Sequence, residues 1–297
     1  MTDRLLGSGL IIVDKPTGMT SHDVISRLRR IFGTRRVGHA GTLDPMATGV
    51  LVVGIERGTR FLAHLVTETK TYRATIRLGA STTTDDAEGD ITSRTDTTDV
   101  TDTLIDAAIA QLTGDIMQKP AAVSAIKIDG KRAHERVRDG ETVDIPARPV
   151  TVHRFDVLDQ RSVDGYIDLD VDVFCSSGTY IRSLARDLGN ALGVGGHLTA
   201  LRRTTVGPFD LTHARTLEEL EDNPQLSLTL DQALAASFPV LRVSGEEGHK
   251  LAMGQWLEPR GLKGIHAAVT PDGRAVALVK EKGKRLATVF VVRPSTL

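Results

Sequence analysis

A chain of 297 residues, 40% hydrophobic and 25% charged, has an ordinary globular composition and room for one large domain or two unequal ones. The single cysteine, Cys175, excludes an internal disulfide. The opening MTDRLLGSGLIIVDKPTG is not a signal peptide, and no segment approaches the about 20 apolar residues of a membrane span, so a cytoplasmic protein is expected. Net charge is −1, but residues 1–77 hold 12 Lys/Arg against 6 Asp/Glu, residues 78–116 hold 1 against 9, and the tail from 241 holds 10 against 5. Such alternation lets a neutral chain gather a positive face for a polyanion.

In chain order, Leu10–Val13 reads as a short strand, turned by PTG into a helix capped by Thr20 or Ser21 with Asp23 in its first turn. Val24, Ile25, Leu28, Ile31 and Phe32 recur at helical spacing, and Gly33 ends the helix. Arg27, Arg29, Arg30, Arg35 and Arg36 cluster there, as either a solvated face or a phosphate patch. Val50–Ile55 is a near-continuous apolar run, the pattern of a strand buried on both faces. Between them lies RVGHAGTLDPMATG, with Asp44 pinned by Pro45 and His39 five residues earlier. An Asp-Pro pair is a common turn former; it also suits a nucleophile or base at the mouth of a buried strand.

Farther on, Tyr72, Ala74, Ile76 and Leu78 alternate with Arg73, Thr75 and Arg77, a half-buried strand. Residues 80–103, polar and acidic, read as a long loop, followed by a helix over Thr103–Leu112. Residues 117–150 form a basic excursion with a short helix near Lys131–Arg138. Ile167–Cys175 alternates with Asp168, Asp170 and Asp172, and SSGT leads into a helix from Tyr180 to Leu188, closed by Gly189. A boundary falls near 240. Beyond it come a helix carrying Leu251 and Met253, two strands joined by PDGR, and a third strand over Ala287–Val292. This module is too small to be more than marginal alone, so it is expected to pack on the main body.

Several chemistries are set aside. There is no Walker loop, no zinc-ligand spacing and no Gly-x-Ser-x-Gly elbow, and GVGGH at 193–197 follows a helix rather than a strand. Four islands remain: DKPTGMTSHDV (14–24), GHAGTLDPMATGVL (38–51), KTYRATIRLG (70–79) and SSGTYIRSLARDLG (176–189). Together they offer one acid in a glycine-rich loop, one histidine, two of the chain's three tyrosines, and arginines.

These islands resemble the bacterial B-type tRNA pseudouridine-55 synthases, relatives of the box H/ACA synthases. Lys15, Gly18, Thr20 and Ser21 match one island; Gly38, His39, Gly41, Leu43, Asp44, Pro45, Ala47, Thr48 and Gly49 match the family's catalytic loop. Lys70, Tyr72 and Arg73 match a third, Gly178, Thr179, Tyr180, Ile181 and Arg182 a fourth, and LRRTTVGPF places Leu201 at a pocket position. The match spans roughly residues 8 to 215, and the tail is similar in role to a PUA domain. One departure is His134, where many members carry tyrosine.

The resemblance implies an α/β (α+β) pseudouridine-synthase fold: a central mixed, mostly antiparallel sheet flanked by helices, with a small C-terminal β-rich PUA-like module. Residues 1–240 would be the catalytic domain and 241–297 the RNA-binding module. Asp44, Tyr72 and Arg182 would be catalytic, with Arg182 pairing with Asp44. His39, Tyr72, Tyr180, Leu201, Lys15, Arg29, Arg30, Lys127, Lys131 and Arg132 would bind substrate. The partner would be the T-arm of tRNA, flipped open at one base, with the protein a monomer that needs no metal, nucleotide or other cofactor. A chain ending near 240 would still act on an isolated T-arm hairpin. The rivals are a non-catalytic tRNA-binding or tRNA-folding protein, and a glycosidase-like hydrolase. The latter usually wants two carboxylates in one site, and the islands hold no second acid matched to one.

Overall fold

The computed structural model describes residues 5, 7–65, 68–121, 127–128, 131–132 and 145–295. It divides into two compact units, one of residues 1–45, 49–66 and 206–297, the other of 46–48 and 67–205. Among the described residues no helix is long and apolar enough to cross a membrane. In chain order, β1 (Gly9–Lys15), α1 (Ser21–Ile31), β2 (Val37–Ala40), β3 (Thr48–Ile55) and the short α2 (Gly58–Phe61) open the first unit. The second unit carries β4 (Lys70–Leu78), β5 (Ala80–Thr82), β6 (Ile91–Arg94), α3 (Asp102–Gln111) and β7 (Gly114–Gln118). It continues through β8 (Lys127–Ile128), β9 (Lys131–Arg132), β10 (Arg148–Val163), β11 (Tyr166–Cys175), α4 (Ile181–Ala191) and β12 (Gly196–Val206). The first unit resumes with β13 (Phe209–Asp210), α5 (Leu217–Asp222), β14 (Leu228–Thr229) and α6 (Leu230–Ser237). It ends with β15 (Val240–Arg242), α7 (Gly245–Ala252), β16 (Ile265–Val269), β17 (Ala275–Lys282) and β18 (Arg285–Val291).

In the first unit β1 and β3 pair antiparallel over seven residues, from Gly9 opposite Ile55 to Lys15 opposite Gly49. Leu10–Val13 and Val50–Val53 are fully buried, as two adjacent branched runs require. The helix signals hold: the Thr20 hydroxyl accepts from the Asp23 N–H at 3.0 Å, the Asp23 carboxylate accepts from the Thr20 N–H at 2.9 Å, and α1 ends just ahead of Gly33. At the other end of the chain, β15 runs parallel to β16, and β16, β17 and β18 continue antiparallel. The short first strand of that sheet was not foreseen.

The C-terminal sheet has a core of its own, with Val243, Leu251, Leu257, Ala277, Val279 and Leu286. Its other face belongs to a larger cluster. Ala267, Val269, Ala275, Leu278 and Val292 pack in one buried group with Leu10, Ile12, Val50, Val52, Phe61, Leu65, Leu230 and Leu234. Polar ties reinforce the union. Asp231 receives Arg293 through both carboxylate oxygens at 2.6 and 2.8 Å, and Arg57 donates to the carbonyls of Val291 and Val292.

The second unit is a sheet in the order β12-β4-β11-β10-β7. β4 keeps its expected faces: Tyr72, Ala74, Ile76 and Leu78 are buried. On the wet face, Arg77 grips Asp168 with two bonds of 2.7 and 2.8 Å, Thr75 bonds Asp170 at 2.6 Å, and Arg154 bonds Asp172 at 2.5 Å. This cross-strand ladder answers the three aspartates that alternate along β11. β10 and β11 form a long hairpin whose turn, Asp164 and Gly165, has φ of 51° and 81°, the two left-handed residues of a tight hairpin turn. Cys175 is fully buried, and burial pushes its thiol up to about 11.

Three expectations change. Residues 80–103 hold a hairpin, β5–β6, rather than only loop; its strands, AST and ITSR, are too short and too polar to show an apolar alternation. The helix from 181 runs through Gly189 to Ala191. Gly189 serves a close approach instead: a Cβ there would lie 2.1 Å from the Gly195 carbonyl carbon. In the basic excursion, Lys131 and Arg132 are strand, paired with Ile128 and Lys127; the rest of the expected helix, and His134, lie outside the described residues.

Candidate active site

Asp44 is half-buried, and the chain is pinned on both sides of it. Before it, the Ser21 hydroxyl donates to the Leu43 carbonyl at 3.0 Å and accepts from the Leu43 N–H at 2.9 Å. After it, the Pro45 carbonyl accepts from the Gly18 N–H at 2.8 Å and from the Lys15 ammonium at 3.2 Å. Lys15 is fully buried and also donates to the carbonyls of Met19 at 2.6 Å and Pro16 at 2.9 Å. A buried ammonium needs such acceptors to offset its lost hydration. The first island thus builds a brace for the second. Lys15, expected at the substrate, has its ammonium in that brace.

His39 is half-buried on β2, opposite Val53 of β3. Arg29 and Arg30 are exposed in the last turn of α1, as are Arg35 and Arg36 beyond it. Arg27 differs from its neighbours. Glu221 takes it at 2.7 and 2.8 Å and Glu218 at 3.3 Å, so its charge is answered within the protein.

The second unit carries the other candidates. Tyr72 is 7% exposed on β4, opposite Val173. Two residues earlier on the same face, Lys70 donates to the Glu68 carbonyl at 2.8 Å; burial, with the Arg203 guanidinium near, pushes its ammonium down to about 8. Arg182 lies in the first turn of α4, almost wholly buried. Its guanidinium donates to the Thr84 carbonyl at 3.0 Å and stands 3.5 Å from the Asp86 carboxylate, itself 2% exposed. The neighbouring Asp85, at φ 60°, stands 3.3 Å from Arg186, and burial raises its carboxyl above the usual range. The β5–β6 connection therefore holds two arginines of α4.

Tyr180 is the residue that caps α4, and its backbone is held by one side chain. Gln118 accepts from the Tyr180 N–H at 2.8 Å and donates to the Tyr180 carbonyl at 3.0 Å. A cavity of about 240 Å³ opens there, lined by Gln118, Arg148, Ser177 and Tyr180 among others. Leu201 is buried on β12. The backbones of Lys127, Lys131 and Arg132 lie in the β8–β9 pair. Sequence reading passed over Gln118 and Asp86. Gln118 is the second residue of the basic excursion, which was read for its cations, and Asp86 was counted only as one charge in an acidic block.

The fold is that of a pseudouridine synthase. A chain in a structure of an H/ACA RNP bound to a substrate RNA containing 2′-deoxyuridine superposes with a TM-score of 0.72, at 27% identity, over 96% of this chain and 85% of that one. A chain of a Cbf5-Nop10-Gar1 complex gives 0.73 at 28% identity, over 98% and 87%. The profile described as "TruB family pseudouridylate synthase (N terminal domain)" matches residues 29–181. "tRNA pseudouridylate synthase B C-terminal domain" matches 182–236, and "tRNA Pseudouridine synthase II, C terminal" matches 238–293. The chain is 73% identical to tRNA pseudouridine synthase B of Corynebacterium efficiens over the full length of both. It is 60% identical to that of Nocardia farcinica over 97% of this chain and 94% of the relative. It belongs to the TruB family of pseudouridine synthases.

Proposed function

We propose that this protein isomerises uridine to pseudouridine at position 55, in the T-loop of tRNA. The observation that carries the reading is the doubly pinned Asp44 loop: a carboxylate held by its backbone, in a chain of this family. The reaction breaks the N1–C1′ bond, turns the base, and joins C5 to C1′, while the C5 proton is lost and N1 gains one. Product and substrate are isomers, so atoms balance without a cofactor. Asp44 either attacks the nucleotide covalently or takes a sugar proton as the base leaves. Arg182 supplies the positive charge that favours the ionised carboxylate in the reacting complex. Tyr72 stacks on the base and stands by C5 for the final proton removal.

The target base must leave its stack, at a cost of a few kcal/mol. His39 fills the vacated space, and Tyr180 and Leu201 line the pocket. Lys15 contributes by bracing the Asp44 loop. Arg29, Arg30, Lys127, Lys131 and Arg132 meet phosphates. Residues 1–240 carry the catalysis and 241–297 add affinity for RNA, in a monomer acting in the cytoplasm. The direct test is incubation of the protein with T-loop RNA labelled in its uridines. Pseudouridine is expected; free uracil would make it a hydrolase, and unchanged RNA a binding protein.

Exposed arginines at the end of α1 predict strongly salt-dependent binding, since each neutralised phosphate releases counterion. Replacing Arg29 and Arg30 by Ala should flatten the slope of log K against log salt by about 2. Filter binding across salt concentrations checks this, and an unchanged slope would remove these two residues from the interface.

A further inference from the structure

The chain's only tryptophan, Trp256, is 45% exposed. It borders a cavity of about 590 Å³, lined by Gln255–Arg260 together with Glu247 and Lys250 of α7. The backbones of Leu257 and Leu286 exchange two hydrogen bonds, of 3.0 and 2.8 Å. That pairing draws the β17–β18 turn alongside the tryptophan. The turn carries Lys282, Lys284 and Arg285, all exposed. The Arg285 guanidinium lies over the indole, 4.9 Å from the ring centroid.

The charges of the rim are unequal in their commitments. Glu247 pairs with Arg260, and Glu246 with Lys250 at 2.9 Å. Glu281 accepts from the backbone N–H groups of Arg260 and Leu262 at 2.6 and 2.9 Å. The turn therefore offers three cations in four residues, and Glu258 is the remaining acid of the lining. An exposed ring beside a cationic turn is how proteins hold single-stranded nucleic acid: the ring takes a base face and the cations take the backbone. Beside Leu257 and Pro259, the cavity's lining brings the polar Gln255, Glu258 and Lys250. They suit a flat heterocycle with donors and acceptors on its edge better than the apolar core of a protein interface.

We infer that Trp256 and Arg285 form a stacking site for one unpaired nucleobase of a bound RNA, with Lys282 and Lys284 answering its flanking phosphates. The inference rests on the reading of this protein as an enzyme of tRNA and adds a second point of contact, in the C-terminal module. Because Trp256 is the sole tryptophan, its emission reports this ring alone. Titrating the full chain with a single-stranded RNA heptamer should quench that emission saturably, whereas a blunt-ended duplex of equal charge, with no unpaired base, should not. In filter binding, Trp256→Ala and Arg285→Glu should each weaken heptamer affinity about tenfold, and Trp256→Phe, which keeps a stacking face, by less than about threefold. Should the alanine variant melt below the wild type, Trp256→Phe and Arg285→Glu decide the matter. Unchanged emission at saturating heptamer, or wild-type affinity in Arg285→Glu, would overturn the site. Pseudouridine formation by the wild type is read in parallel; its absence would sink the functional reading, whatever Trp256 does.

Discussion

Asp44→Asn is expected to lower pseudouridine formation at least about a thousandfold while leaving tRNA affinity within about tenfold, or about 1.4 kcal/mol. The asymmetry follows from how the loop is held. Ser21 fastens Leu43, and Lys15 and Gly18 fasten Pro45; each of these bonds is made to the backbone, so none needs the carboxylate. An amide of nearly the same shape leaves that brace in place and removes only the charge and basicity. Single-turnover assays with enzyme in excess isolate the chemical step, and filter binding gives the affinity. Near-normal single-turnover rates would end the assignment of Asp44 as the reacting group.

Ending the chain at Val240 should do more than weaken RNA binding: the first unit should fail to fold. The cut removes Ala267, Val269, Ala275, Leu278 and Val292 from a cluster that includes Leu10, Ile12, Phe61, Leu65, Leu230 and Leu234. Burying one such aliphatic side chain contributes about 1.5–3 kcal/mol, and a whole domain is stable by only about 5–15 kcal/mol. Asp231 would lose Arg293, and Arg57 the carbonyls of Val291 and Val292. The shortened chain should aggregate or melt without cooperativity in circular dichroism. A soluble 1–240 chain with a sharp melt and activity on a T-arm hairpin would restore the separable module that the sequence suggested.

What was legible in the sequence is mostly what is local. The Thr20–Asp23 cap spans four residues and is written in their chemistry. The alternation of β4 is a property of consecutive side chains, and the buried pair β1–β3 shows as two apolar runs. Lys15 and Ser21 stood out as motif positions, but their work depends on the 16–19 turn meeting residues 43–45, which no local pattern states. Gly189 reads as a helix stop because glycine often is one; only the return of residues 193–196 against it explains why the helix continues. That the small last module packs on the main body was expected from its size; which strands share its core was not. Composition shifts near 240, and the profiles that match this chain divide at 236–238, yet the apolar face of the last sheet closes against strands more than 200 residues earlier.

One further consequence follows from where two singular residues fall. Cys175 sits wholly buried in β11 of the second unit, with its thiol raised by burial so that thiolate, the reactive form, is scarce at neutral pH. Trp256 stands in the first unit. The natural chain is thus already instrumented. Alkylation of Cys175 waits for the second unit to open, while indole emission follows the first. The lifetime of each unit can be clocked separately in the same sample, with no label added and no residue changed.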